Sequence, residues 1–307
     1  MKSLRDFYGK LLIELGEKFI NMVVLDADVA SSTKSCEFGK HFPERFFNVG
    51  IAEQNLVGIA SGLALGGKVP FVNAFSCFLI ERAFNQIRQS ISYPALNVKL
   101  CGSHPGLSSY EDGASHQIFI DINLIRSLPN FLIIAPVDEI ELKQAMYLMA
   151  DYDSPCYLRL GKLPVTTINK IDYVFNLNEP VILREGKDIT MLSYGTMVSK
   201  TLEAADELNK MGISTNIVNV HTLKPLSNDL IEICLSTKFV ITIEEHSVIG
   251  GLGGSLSEML SPYQEIKHKI MGIPDSFGMS GSPSELFSHF GLTKENIINQ
   301  SKSLLRC

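Results

Sequence analysis

The sequence predicts an α/β protein of two domains, and three observations predict it. Short apolar runs alternate with stretches of helical spacing from the N-terminus to about residue 162. One run, Phe131-Leu132-Ile133-Ile134-Ala135-Pro136, is apolar throughout, as in strands buried on both faces of a parallel sheet. Periodicity then lapses over residues 166–187, where Asn, Asp and Pro collect, before a second strand–helix alternation begins. The expected layout is a mostly parallel α/β domain over 1–165, a linker over 166–187 and a smaller α/β domain over 188–307.

Composition narrows the classes of function. At 307 residues the chain can bury two cores. Hydrophobic residues make up 45% and charged residues 20%, the balance of a globular enzyme or subunit. The net charge of -6 is spread without a Lys/Arg cluster, which argues against nucleic acid or an anionic membrane as partner. Charges at Arg5, Asp6, Lys10 and Glu14 interrupt any signal-type apolar core, and no apolar run approaches the ~18 residues of a membrane span. Cys36, Cys77, Cys101, Cys156, Cys234 and Cys307 are scattered without a CxxC pair and read as reduced core residues. A cytoplasmic location is expected.

Helical spacing runs from about Leu4 to Ile20, and the strand Met22–Leu25 follows, ending in Asp26-Ala27-Asp28. Ligands of open α/β sheets lie beyond the carboxyl ends of strands, which makes Asp28 and Ser32 candidates, with a helix cap and a solvated loop as alternatives. Phe46 to Gly50 leads into a helix opened by Glu53, with Leu56, Ile59, Ala60 and Leu63 at helical spacing. A first-turn carboxylate suits the positive end of a helix dipole, so Glu53 alone reads as a capping residue. Val69–Phe75 reads as a strand, 76–90 as one helix with Phe78, Arg82 and Gln86 along a side, and Asn97–Cys101 as the next strand. From Ser103 to His116 the chain is a polar loop with two His and two carboxylates, longer than a connection requires.

Asp138 and Glu141 have the spacing of a capping box for the helix through Met149, and Cys156–Lys162 closes the first unit as a strand. In the second unit Ile189–Tyr194, Asn216–Val220 and Phe239–Ile243 read as strands. Val198, Leu202, Ala205, Leu208 and Met211 make one helical face between them. Gly250-Gly251-Leu252-Gly253-Gly254 lacks the spacing of a dinucleotide turn and reads as tight helix packing. His221, His246, His268 and His289 share no metal-ligand spacing, so no metal site is expected in this chain.

Several segments, in order and at similar spacing, resemble the transketolase family. They are Phe47-Asn48-Val49-Gly50-Ile51-Ala52-Glu53, Ala74-Phe75-Ser76-Cys77-Phe78, Arg82 to Arg88 and Glu111-Asp112-Gly113-Ala114-Ser115-His116. Leu128-Pro129-Asn130, Tyr157 to Gly161, Thr222 to Leu226 and Glu244-Glu245-His246 continue the match through almost the whole chain. Only the C-terminal half of a full-length transketolase is resembled, a three-layer pyrimidine-binding domain followed by the C-terminal domain. The GDG…N motif of the other half, which holds Mg²⁺ and the diphosphate of thiamine diphosphate, does not occur. The resemblance therefore implies one subunit of a split transketolase, its partner supplying the diphosphate and Mg²⁺ site, in an α₂β₂ assembly.

That cofactor needs a carboxyl shielded from water to share a proton with N1′ of its aminopyrimidine, so that its own 4′-imino group can act as base. The resemblance gives Glu53 this role, Phe78 the stacking platform for the pyrimidine, Phe75 the wall beside it and Asp28 a place near the cofactor. On the substrate side it gives His104 and His116 places along the channel, Asp112 a sugar hydroxyl, and Arg5 and Ser32 the phosphate of a sugar phosphate. Lys162 stands where the family usually has Arg, offering a point charge without a bidentate fork, and Tyr110 replaces a usual Gly. Gly58, Gly62 and Gly66 leave one face of the Glu53 helix without side chains, a surface for close helix contact at a subunit interface.

The resemblance implies transfer of a two-carbon ketol unit between sugar phosphates. Alternatives are a subunit like deoxyxylulose-phosphate synthase or the 2-oxoacid dehydrogenase beta chain, a specialised ketol transfer in unusual-sugar synthesis, or a non-catalytic scaffold that kept the fold.

Overall fold

In the computed structural model, which describes residues 3–306, the chain builds two sheets. Helix α1 (Leu4–Lys18) is capped by Ser3, whose hydroxyl and amide donate to the Asp6 carboxylate at 2.8 and 3.1 Å. Strand β1 (Met22–Asp26) is buried at every position, so both of its faces must be covered. Short helices α2 (Ala30–Thr33) and α3 (Cys36–His41), strand β2 (Phe46–Asn48), helix α4 (Glu53–Leu65) and strand β3 (Val69–Phe75) follow. Helix α5 (Phe84–Gln86), β4 (Lys99–Ser103), α6 (Asp121–Arg126), β5 (Leu132–Ile134), α7 (Glu139–Asp151) and β6 (Cys156–Leu160) complete the unit. The strands lie in the order β5, β6, β4, β3, β1, β2, and all pair in parallel.

The second sheet contains β7 (Val181–Arg184), β8 (Ile189–Ser193), β9 (Thr215–Asn219), β11 (Phe239–Ser247) and β12 (Lys267–Ile273), in the order β12, β11, β8, β9, β7. Only β7 runs antiparallel in it. Helices α8 (Met197–Lys210), α9 (Asp229–Thr237), α10 (Leu252–Leu260), α11 (Pro283–His289) and α12 (Lys294–Leu305) accompany it. The remaining strand, β10 (Thr222–Lys224), leaves this unit and pairs antiparallel with β5, adding a seventh strand to the first sheet. The apolar interior follows the same seam. One core holds Leu56, Val72 and Ile133 together with Leu192, Val218 and Leu256, so the domains are joined by packed side chains.

The structure departs from the sequence reading in identifiable places. Helix α1 ends at Lys18, and Ile20 is exposed rather than part of its apolar face. The expected strand over 97–101 is shifted to Lys99–Ser103, which carries Ser103 to the strand end. The single helix expected over 76–90 is broken into π-helical turns at Cys77–Arg82 and Ile87–Ser92 around α5, a wider winding that alters which side chains align. Within 166–187, apolar Val181 to Leu183 form the edge strand β7. Strand β11 continues four residues beyond Ile243, burying Glu244, Glu245 and His246, because partners from both domains meet them there. Asp138 caps α7 by accepting from the Glu141 amide at 2.9 Å, but Glu141 does not return the bond to Asp138. Its carboxylate accepts instead from the Val137 amide, the Tyr173 hydroxyl and the Asn219 side-chain amide.

The glycines at 250–254 divide as their surroundings dictate. A Cβ on Gly253 would meet Ile270 and Thr242 at 2.5 and 2.8 Å, so α10 packs tightly on the sheet there. Cys77, Cys101, Cys156 and Cys234 are buried, Cys36 is half-buried, and these five are free thiols; Cys307 lies outside the described residues. Among the described residues no helix is long and apolar enough to cross a membrane, and no cluster of three or more His, Cys, Asp or Glu is arranged to hold a metal.

Candidate active site

The carboxyl ends of β1, β3, β4 and β6 open onto one crevice, the position where open α/β sheets place their ligands. Phe75 is the last residue of β3, Phe78 follows in the π-helical turn, and their rings stack at 5.9 Å with planes 16° apart. The His104 ring, just past β4, lies 4.1 Å from Phe75, and the His116 ring meets Phe78 edge-on at 5.0 Å. Four rings from two separated segments thus form one half-open aromatic wall, and a flat heteroaromatic ring fits such a wall.

Glu53 opens α4 and is 5% exposed. Its hydrogen-bond partner is Arg82, whose Nη1 lies 3.3 Å from one carboxylate oxygen and 3.4 Å from the other. The same guanidinium sits over the Phe78 ring at 4.1 Å. Arg82 is half-exposed and covers both the carboxylate and the aromatic face. Gly50, at φ 76, makes the turn before the helix, and its amide donates to Asn48 Oδ1. Asn48 in turn donates to Asp28 at 2.9 Å, tying the β1 and β2 loops together at the crevice.

A second group of residues gathers at the other end. Arg5 donates to the Ser32 carbonyl at 3.2 Å, and its Nη1 is 3.4 Å from His104 Nε2. Among the described residues Arg5 Nε, which is buried, finds no partner. Lys162 lies over the Tyr110 ring at 5.3 Å, and its amide is 3.5 Å from the Ser108 hydroxyl. Burial, and then the charges of Arg5, Lys162 and His116, push His104 down to about 3, so its imidazole is neutral. A neutral His beside two cations leaves an electropositive end suited to an anion such as a phosphate. The loop after β1 is fixed from below by buried Asp26, which accepts from Thr33, Ser35 and the Val29 amide at 2.7–2.8 Å.

The sequence-predicted residues therefore fall into three placements. Phe75, Phe78, His104 and His116 come together, Glu53 is joined to them through Arg82, and Arg5, Ser32 and Lys162 gather around His104. Asp28 stands at the crevice edge, held by Asn48. Asp112 is exposed on the turn Tyr110–Ser115. Arg82, Asn48 and Asp26 are not among the site residues the sequence predicts, although Arg82 and Asn48 lie in the family-like segments and Arg82 falls four residues after Phe78 on one helical side. Asp28 (φ 66), His104 (φ 58) and Tyr110 (φ 34) hold left-handed backbone that favours glycine, and such strain collects at functional sites.

Residues 1–166 match the pyrimidine-binding domain of transketolase, and residues 179–297 match the transketolase C-terminal domain. With this fold and site the chain belongs to the transketolase family, a family of transferases that depends on thiamine diphosphate. It is 43% identical over 300 residues to a chain of Methanocaldococcus jannaschii provisionally named a transketolase C-terminal section, covering 96% of this chain and 94% of that one. It is 37% identical to the 6-deoxy-6-sulfo-D-fructose transketolase subunit SqwH of Clostridium sp. (strain MSTE9), covering 96% and 92%. A solved split gene transketolase, described as an inactive beta4 tetramer, superposes with a TM-score of 0.92 at 42% identity, over 100% of this chain and 99% of that one. The chain has the domain make-up of the C-terminal subunit of a split transketolase. It is also 37% identical to 1-deoxy-D-xylulose-5-phosphate synthase of Dictyoglomus thermophilum, of whose length it covers about half (49%).

Proposed function

We propose that this chain is the pyrimidine-holding subunit of an enzyme that moves a two-carbon ketol unit between sugar phosphates. The observation that carries the reading is the nearly buried Glu53 carboxylate, joined through Arg82 to Phe78 and so to the wall of Phe75, His104 and His116. The residues fit thiamine diphosphate: aromatic rings suit its aminopyrimidine, and the nearly buried Glu53 carboxyl suits a partner for its N1′. When bound, the cofactor supplies the nucleophilic carbon for breaking and making the carbon–carbon bond. Glu53 shares a proton with N1′, Phe78 and Phe75 hold the ring plane, and Asp28 lines the cofactor side of the crevice. His116 exchanges protons with the oxygens of the reacting carbons, His104 stands at the sugar-phosphate end of the channel, Asp112 takes a sugar hydroxyl, and Arg5, Ser32 and Lys162 receive the phosphate.

The diphosphate and Mg²⁺ fall to a separate diphosphate-binding subunit, and the assembly is α₂β₂, working in the cytoplasm. The exposed face of α4 meets another subunit of that assembly; at Gly58 and Gly62 a Cβ would find no described atom within 4 Å beyond its own stretch of helix.

The test mixes the chain with its partner subunit, thiamine diphosphate and Mg²⁺ and follows ketol transfer across a panel of sugar phosphates. Transfer that needs both chains supports the reading. Release of CO₂ from pyruvate in its place would favour the synthase alternative that the half-length match raises. Tight cofactor binding by the isolated chain would contradict the division of the site between subunits.

A further inference from the structure

The loop that carries His104, Asp112 and His116 is fastened from the second domain as well as from its own strand. Leu107 and Tyr110 on the loop, with Phe119 just after it, are buried in the second domain's core among Ile243, Met271 and Phe287. The Ser247 amide donates to the Phe119 carbonyl at 2.8 Å, and Gln117 Nε2 donates to the Met279 carbonyl at 2.9 Å. At the centre of this seam lies Glu245, 2% exposed near the end of β11. Its Oε1 accepts from the Leu107 amide at 2.6 Å, and its Oε2 accepts from the Thr196 hydroxyl at 2.7 Å. Arg159, on β6, donates to the Glu245 carbonyl and to the Asp121 carboxylate, each at 2.8 Å, so the glutamate is held from both domains.

Gly106 shows how closely the loop approaches. Its φ is 60, and a Cβ there would come within 2.6 Å of the Glu245 side chain. A carboxylate buried this fully is costly unless its bonds are specific, and here one of its two oxygens is committed to a loop amide. That amide lies three residues past His104 and nine before His116, inside the segment whose ends form the aromatic wall.

We propose that Glu245 is a positioning residue: by fixing the Leu107 amide it sets where His104 and His116 stand, so the second domain governs how the sugar phosphate is captured. The proposal rests on the ketol-transfer reading above. It is tested on the assembled two-subunit enzyme with Glu245→Ala, Glu245→Gln and Glu244→Ala. Gln keeps an acceptor for Leu107 and a donor for Thr196. Glu244 serves the start of α10, accepting from the Leu252 and Gly253 amides at 2.8 and 2.9 Å, and so controls for loss of a buried acid.

Glu245→Ala is expected to raise the sugar-phosphate KM about 10-fold while kcat changes less than about 3-fold, with Glu245→Gln restoring both. Amide exchange over residues 105–117 should quicken in Glu245→Ala and not in Glu244→Ala. Should Glu245→Ala fail to fold, Thr196→Val removes one anchor of the carboxylate and is expected to raise KM about 3-fold. Unchanged KM in the folded variant, equal KM effects from both alanine variants, or loop exchange at the wild-type rate would overturn the proposal. A wild-type pair inactive on every sugar phosphate would refute the ketol-transfer reading, and the exchange comparison would still decide whether Glu245 holds the loop.

Discussion

Glu53 and Arg82 share the mouth of the aromatic pocket, and replacing them has opposite expected effects. Glu53→Gln keeps the shape of a nearly buried side chain but removes its charge, so ketol transfer by the assembled enzyme should fall by at least ~100-fold with little change in Tm. A rate within a few-fold of wild type would remove Glu53 from the mechanism. Arg82 bonds the carboxylate and covers the Phe78 face, the two contacts an aminopyrimidine would make. The guanidinium must leave for the ring to enter, which lowers the fraction of chains ready to bind. Arg82→Ala should therefore tighten thiamine diphosphate binding by the assembled enzyme about 3-fold to 10-fold, measured by calorimetry. Weaker binding would show that Arg82 holds the cofactor rather than standing in its place.

Among the elements, α4 makes the clearest forecast. Ile51 just before α4 and Leu65 at its end, each 75% exposed, lie on either side of its uncovered glycines in sequence. A Cβ at Gly62 meets no described atom within 4 Å beyond its own stretch of helix, and Gly62→Leu replaces the poorest helix former but proline, so the isolated subunit should gain up to ~1 kcal/mol in denaturant melts. The same change should break the assembly in sedimentation experiments. An intact assembly would place the interface elsewhere.

The glycine spacing in α4 and the first-turn Glu53 were readable because helical periodicity is local. β3 was read at its true limits for the same reason, an apolar run bounded by polar residues. β10 was not readable, since three residues, Thr222-Leu223-Lys224, carry no period and acquire a partner only when β5 is brought beside them. Glu245 was hidden for a related reason. A pair of acids ending an apolar run looks like a solvated strand end until the loop from the other domain arrives to use them. The wall of four rings lay between these cases: family spacing pointed to each ring, while their contacts depend on the wider π-helical winding after β3.

At the scale of the whole molecule, buried titratable groups set a pH optimum for stability. Burial lowers His221, His246 and His268 to about 4 and His104 to about 3. Between about pH 4 and 6.5 the unfolded chain binds protons that these four rings refuse in the fold. Stability is then lost as pH falls, by up to ~1.4 kcal/mol per pH unit for each ring. Glu141 and Glu244 oppose this: burial raises them to about 8 and about 7, so their contribution is lost as pH rises through those values. Asp26, Glu81 and Glu245 are raised by burial too, but of the groups shifted furthest four rings stand against two carboxyls on the acid side, and of these only the carboxyls act above about pH 6.5. The Tm of the isolated chain should peak near pH 6.5 and fall more steeply toward acid; a Tm flat from pH 5 to 8 would mean these groups are not held as described.

The strand β10 decides where this polypeptide can be divided. It covers the outer row of amides and carbonyls on β5, a row that otherwise stands ready to recruit a strand from any chain it meets. A fragment ending near residue 165 would present that row bare, along with the half of a shared core left by Leu192, Val218 and Leu256. Such a fragment is expected to adhere to its own copies, whereas a boundary outside these two domains leaves β10 in place. The three residues that seal the first sheet thus fasten the two domains to one another.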